Sequence, residues 1–68
     1  MDVIITGEFI KLAQLLKKMK IIDSGGQAKF FIENNEITVN SEIPTGKGMK
    51  VTVGSTVWIN DDVYYIKN

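Results

Sequence analysis

Sixty-eight residues, 44% of them apolar, allow one small core and no more, because a chain this short cannot divide its apolar side chains between two. The chain has no cysteine and no histidine, which excludes disulfide staples, the usual structural zinc sites and thiol nucleophiles. The formal charge is zero, and no stretch approaches the roughly 18 continuous apolar residues of a membrane span, so no membrane partner is expected.

At the N-terminus, Met1 to Thr6 lacks a basic flank and a long apolar run, so it does not read as a secretory signal, and a cytoplasmic location is expected. Val3 to Ile5 is short and β-branched and reads as a strand. Thr6 is then placed to cap a helix running from about Gly7 to Lys20, with Phe9, Leu12, Ala13, Leu16 and Met19 at helical spacing. On such a helix, Lys11, Gln14 and Lys18 fall in one polar strip opposite the apolar face. Ser24-Gly25-Gly26-Gln27 has the form of a capping box, and Ala28, Phe31 and Ile32 supply the apolar stripe of a second helix. Asn34-Asn35 can end it, because asparagine tolerates the left-handed conformation common at helix ends.

From Glu36 the period changes to two. Ile37 and Val39 mark a strand, Asn40-Ser41 a turn, and Pro44, Gly46 and Gly48 a loop, followed by Val51, Val53 and a turn at Gly54-Ser55. Thr56 to Ile59 and Val63 to Ile66 read as a hairpin across Asn60-Asp61-Asp62. The expected fold class is α+β: two helices packed on a small, mostly antiparallel sheet, as one domain over 1–68.

The neutral total conceals an uneven distribution. Between Lys11 and Lys29 stand five lysines (Lys11, Lys17, Lys18, Lys20 and Lys29) and one acid, Asp23. Every basic residue is a lysine, so bidentate arginine forks are unavailable to this chain and any anion contact rests on point charges. Ser24-Gly25-Gly26 opens a helix with unshielded N–H groups at the positive end of its dipole, an arrangement that suits a phosphate, with Lys29 one turn on. The plainer reading is that the serine caps and the glycines let two helices approach. Lys47 and Lys50 make a flexible basic loop, and the Lys11/Gln14/Lys18 strip is either a contact surface or an ordinary solvated face. Trp58, Tyr64 and Tyr65 could stack on bases or simply pack on the sheet, and Phe30 is a further candidate for an exposed aromatic.

Catalysis is not expected. A general base would have to be a carboxylate or lysine, and the one adjacent acid pair, Asp61-Asp62, sits in a turn where its residue types need no chemical reason. Neither a cofactor nor a metal nor a small-molecule substrate is expected.

Taken jointly, these spacings resemble the RNA-binding domain named after protein four of the small ribosomal subunit. Lys11-Leu12-Ala13-Gln14-Leu15-Leu16 matches its first helix. Ser24, Ala28, Phe31 and Ile32 match its second, Ile37-Thr38-Val39-Asn40 its following strand, and Val51, Gly54 and Val57 its later run. Ile10 to Gln14 together with Asp23 to Lys29 also resembles the short stand-alone bacterial members of the YaaA type. The resemblance implies an S-four-like (alpha-L) fold that binds structured RNA, ribosomal RNA or a ribosomal particle above all. The residues it implies are Lys11, Gln14, Ser24, Gly25, Gly26, Lys29, Asn40, Lys47 and Lys50; Lys18 joins them from the helical strip. The chain departs from the family at Gly25, where arginine is usual, at Ser41, where glycine is usual, and at Ser55, where aspartate is usual. The missing cations and the zero net charge keep open a rival reading, a protein-interaction module that retains the fold without the RNA.

Overall fold

The computed structural model describes residues 1–68. In chain order it runs β1 (Asp2–Ile4), β2 (Phe9–Lys11), α1 (Leu12–Lys18), α2 (Gly26–Asn34), β3 (Ile37–Val39), β4 (Lys50–Thr52), β5 (Thr56–Ile59) and β6 (Asp62–Lys67). Four strands form one sheet in the order β1-β6-β5-β3, and β2 and β4 form a separate two-stranded ribbon. All pairings are antiparallel except β1 with β6, where Val3 lies opposite Ile66. The α+β class and the mostly antiparallel pairing agree with the sequence reading; the division into two sheets was not anticipated.

The core forms where three apolar surfaces meet. Leu12, Leu15 and Leu16 of α1 and Ala28 of α2 are fully buried against the inward residues of the sheet, among them Val39, Val57 and Ile66. Val51 brings the ribbon into the same cluster, with Ile10 packed beside it. Each leucine, isoleucine or valine among them contributes about 1.5–3 kcal/mol when fully buried. Strand alternation sends Trp58 and Tyr65 to the opposite, outer face of the sheet, where both are exposed, while Tyr64 points inward and packs against the core.

The first helix is shorter than its periodicity suggested. Phe9 to Lys11 is extended and pairs with Lys50 to Thr52, so the helix begins at Leu12 and its N-cap is Lys11, with no side-chain cap bond. Thr6 therefore caps nothing, and Gly7 turns the chain between β1 and β2 at φ +83°. The start of α1 is completed from a distance: the N–H of Leu12 donates to the carbonyl of Met49 (2.8 Å) and that of Ala13 to the carbonyl of Lys47 (2.9 Å). The helix ends in a Schellman arrangement. Lys20 takes φ +61°, its N–H donates to Lys17, and the N–H of Ile21 donates to Leu16.

The second helix also departs locally from expectation. Its N-cap is Gly25, not Ser24, and no side chain caps the first turn. Half of the capping box survives in shifted form, with the N–H of Asp23 donating to Oε1 of Gln27 at 2.7 Å. At the far end the expected left-handed asparagine is absent, since Asn35 is extended at φ −135°. Instead, the amide groups of Asn34 and Asn35 donate back to the carbonyls of Phe30 and Phe31, satisfying acceptors the helix end leaves open.

Asn40 and Ser41 both have positive φ (53° and 69°), and Val39 and Glu42 exchange hydrogen bonds around them, as in a tight two-residue turn. Ser41 thus holds a left-handed position that favours glycine, the residue the family resemblance implies there. The β5–β6 turn is one residue shorter than expected: Asn60 and Asp61 form it, while Asp62 already pairs with Ile59.

Candidate nucleic-acid interface

In the β2–β4 ribbon, Lys11 lies directly opposite Lys50 and Phe9 opposite Thr52. Residues paired this way project to the same side, so one face of the ribbon carries Phe9, Lys11, Lys50 and Thr52, all exposed, while Ile10 and Val51 face the core. The Lys50 ammonium stands 4.8 Å from the centre of the Phe9 ring. Like charges directly opposite one another are mildly destabilising in a sheet, so folding alone does not favour this pair.

The basic loop is less free than its glycines suggested. Its backbone is tied to α1 through the carbonyls of Lys47 and Met49, which fixes Lys47 and Lys50 beside the start of that helix and next to Lys11. On its other side the loop faces α2: Lys29 and Lys47 line one open groove with Pro44, Thr45 and Gly46, and Glu33 is the acid that enters it. Lys11, Lys29, Lys47 and Lys50 therefore border a single region made of ribbon, loop and second helix.

At the edge of that region, the N–H groups of Gly25 and Gly26 have no acceptor within the protein. A Cβ at Gly25 would meet nothing within 4 Å, and one at Gly26 only the Ser24 hydroxyl at 3.9 Å. The glycines are not there to let two helices touch, because the space above them is open. Ser24 is exposed beside them, and Lys29 is exposed one turn along.

Other residues named from the sequence are placed differently. Lys11 is not part of a helical strip; Gln14 and Lys18 remain one turn apart on the exposed side of α1, with Lys18 in the last turn, away from the loop. The Asn40 side chain is engaged internally, its amide donating to Ser55 Oγ (3.2 Å) and its oxygen accepting the N–H of Thr56 (3.0 Å). Asn40 shapes the turn that leads into the loop. Among the aromatics, Phe30 is 71% exposed, as anticipated, whereas Trp58 and Tyr65 lie on the outer sheet face.

Phe9 is the residue that sequence reasoning missed, having been assigned to the apolar side of a helix. The signal that could have found it is the alternation Phe9-Ile10-Lys11 after Gly7, matched by Lys50-Val51-Thr52. One ion pair within 4.0 Å exists, Lys67 with Asp2, so seven of the eight lysines have no carboxylate that close. No helix is long and apolar enough to cross a membrane.

Comparison with known proteins identifies the family. Residues 3–67 match the family model described as S4 domain. The chain is 44% identical over 52 residues to the probable ribosome maturation protein RlbA of Bacillus subtilis (strain 168), a match covering 76% of this chain and 73% of that protein. No solved structure gives a match. With the family model spanning nearly every residue and a relative 44% identical over most of both chains, the chain belongs to the S4 domain family.

Proposed function

We propose that this chain is a non-catalytic RNA-binding domain that holds a folded RNA, namely ribosomal RNA or a ribosomal particle, in the cytoplasm. The observation that carries the reading is the convergence of Lys11, Lys29, Lys47 and Lys50 on one region with no carboxylate within ion-pair distance of any of them. The free N–H groups of Gly25 and Gly26, with Ser24 beside them, extend that region by a phosphate seat at the start of a helix. Gln14 and Lys18 would widen the contact along α1. Asn40 acts by holding the turn before the loop, not by reaching the RNA itself. Lysines make point-charge contacts with phosphates, so the binding is salt-sensitive and follows RNA shape more than sequence. The relative's name, a probable ribosome maturation protein, supports the choice of ribosomal RNA.

The test is sedimentation of the protein through a gradient of cell lysate at low and moderate salt, beside the Lys11/Lys29/Lys50 triple alanine. Co-migration with ribosomal particles that weakens with salt and is lost in the triple variant is the expected outcome. In a direct titration each lost phosphate contact should make the log–log salt slope shallower by roughly 0.7–0.9. Migration as a small free protein under every condition would overturn the reading. It would favour a protein-interaction module, for which the exposed Trp58 and Tyr65 on the outer sheet face are the specific observation.

A further inference from the structure

Phe9 has no role in the core. It is 45% exposed and stands outside the buried cluster, whereas Ile10 beside it packs against that cluster. It occupies the solvent face of a three-residue strand, where burial does not require an aromatic ring. Its ring carries the Lys50 ammonium at 4.8 Å, and Lys11 projects from the neighbouring position on the same face. An aromatic surface with two cations beside it matches a nucleotide in both its parts: a flat base for the ring and a phosphate for the ammonium groups.

Resting on the RNA-binding reading above, we propose that Phe9, Lys11 and Lys50 form a seat for one unpaired base, so that the RNA this domain prefers carries a bulged or looped nucleotide beside a helix. Stacking of a base on an aromatic ring generally outweighs an exposed cation–π contact. A base can therefore displace the Lys50 ammonium from the ring, and the released ammonium then reaches the adjoining phosphate. Paired bases cannot do this, because their faces are covered within the stack, whereas unpaired ones can be splayed onto a protein aromatic.

The other exposed aromatics lack the second half of the arrangement. Trp58 and Tyr65 lie on the outer sheet face, where the nearby lysine, Lys67, is already paired with Asp2 at 3.1 Å. Phe30 is more exposed than Phe9 but has no cation over its ring. Of the exposed aromatics, only Phe9 has both an accessible ring and cations with no carboxylate within 4.0 Å.

The experiment titrates two RNA hairpins with the same stem, one fully paired and one with a single bulged adenosine, by fluorescence anisotropy at fixed salt. The wild-type protein should prefer the bulged hairpin by about tenfold. Phe9→Leu should erase that preference, bringing the bulged hairpin down to the level of the paired one, and Phe9→Trp should retain it. The Lys11→Ala/Lys50→Ala double variant should weaken both hairpins. Equal wild-type binding of the two hairpins, or a preference that survives Phe9→Leu, would overturn the base seat while leaving RNA binding intact. Failure to bind either hairpin at low salt would overturn the RNA-binding reading and the seat with it. Loss of a protein partner on Phe9→Leu with unchanged hairpin binding would overturn the seat and assign the patch to protein docking.

Discussion

At the start of α1, the N–H groups of Leu12 and Ala13 are taken by carbonyls of the loop between β3 and β4; at the start of α2, those of Gly25 and Gly26 have no acceptor within the protein. Both helix starts have the same electrostatic character, a positive dipole end whose first donors have no acceptor within the helix. Their surroundings assign them opposite work. The first start is a joint: it pins the basic loop and thereby sets where Lys47 and Lys50 stand. The second is left open to an anion, with glycines that put no side chain in the way. A helix N-terminus is available to an anion only where the rest of the fold leaves it unfilled, and the proposed phosphate seat depends on that.

If the first start is a structural joint, removing the side chain that anchors it should be severe. Leu12→Ala deletes a fully buried side chain at the first residue of α1 and should cost about 3 kcal/mol, measured by urea unfolding. For a domain of this size that is a large share of total stability, and the variant should lose much of its folded population on warming.

The other end of the same helix offers a gain. Lys20 holds a left-handed position that glycine occupies without strain, so Lys20→Gly should stabilise by about 1 kcal/mol and raise Tm by about 4–8 °C. A smaller effect, and the most informative one for the comparison, belongs to Gly26→Ala. Open space and a helical backbone predict a gain of about 0.5 kcal/mol in urea unfolding, while a methyl group beside the free N–H groups should weaken RNA binding. Stability and binding moving in opposite directions would mark the second start as functional; a gain in stability with unchanged binding would remove it from the interface.

Much of the architecture was legible from local pattern. The second helix announced itself through Ala28, Phe31 and Ile32, and β3, β5 and β6 through alternation and turn residues. These elements either bury a periodic face or close a short hairpin, so neighbours in sequence carry the signal. The ribbon strand β2 was not legible. Phe9 to Lys11 continues the apolar periodicity of α1, and what draws it into a strand is Lys50 to Thr52, some forty residues away. The error carried through to the site: Lys11 was placed on a helical strip with Lys18, when its neighbour is Lys50.

The sequence by itself determined the inventory and the class. It supplied eight lysines and no other cation, neither histidine nor cysteine, two glycines opening a helix, and the α+β alternation that carries the family resemblance. Only the tertiary structure decided which of those lysines share a region, that Asn40 is occupied by Ser55 and Thr56, and that Phe9 stands beside the paired Lys11 and Lys50. The physical reason is range. Helix periodicity, capping and turn preference act over a few residues and can be read from the chain. Strand pairing and loop docking are settled by partners distant in sequence, whose contacts exist only once the core has closed.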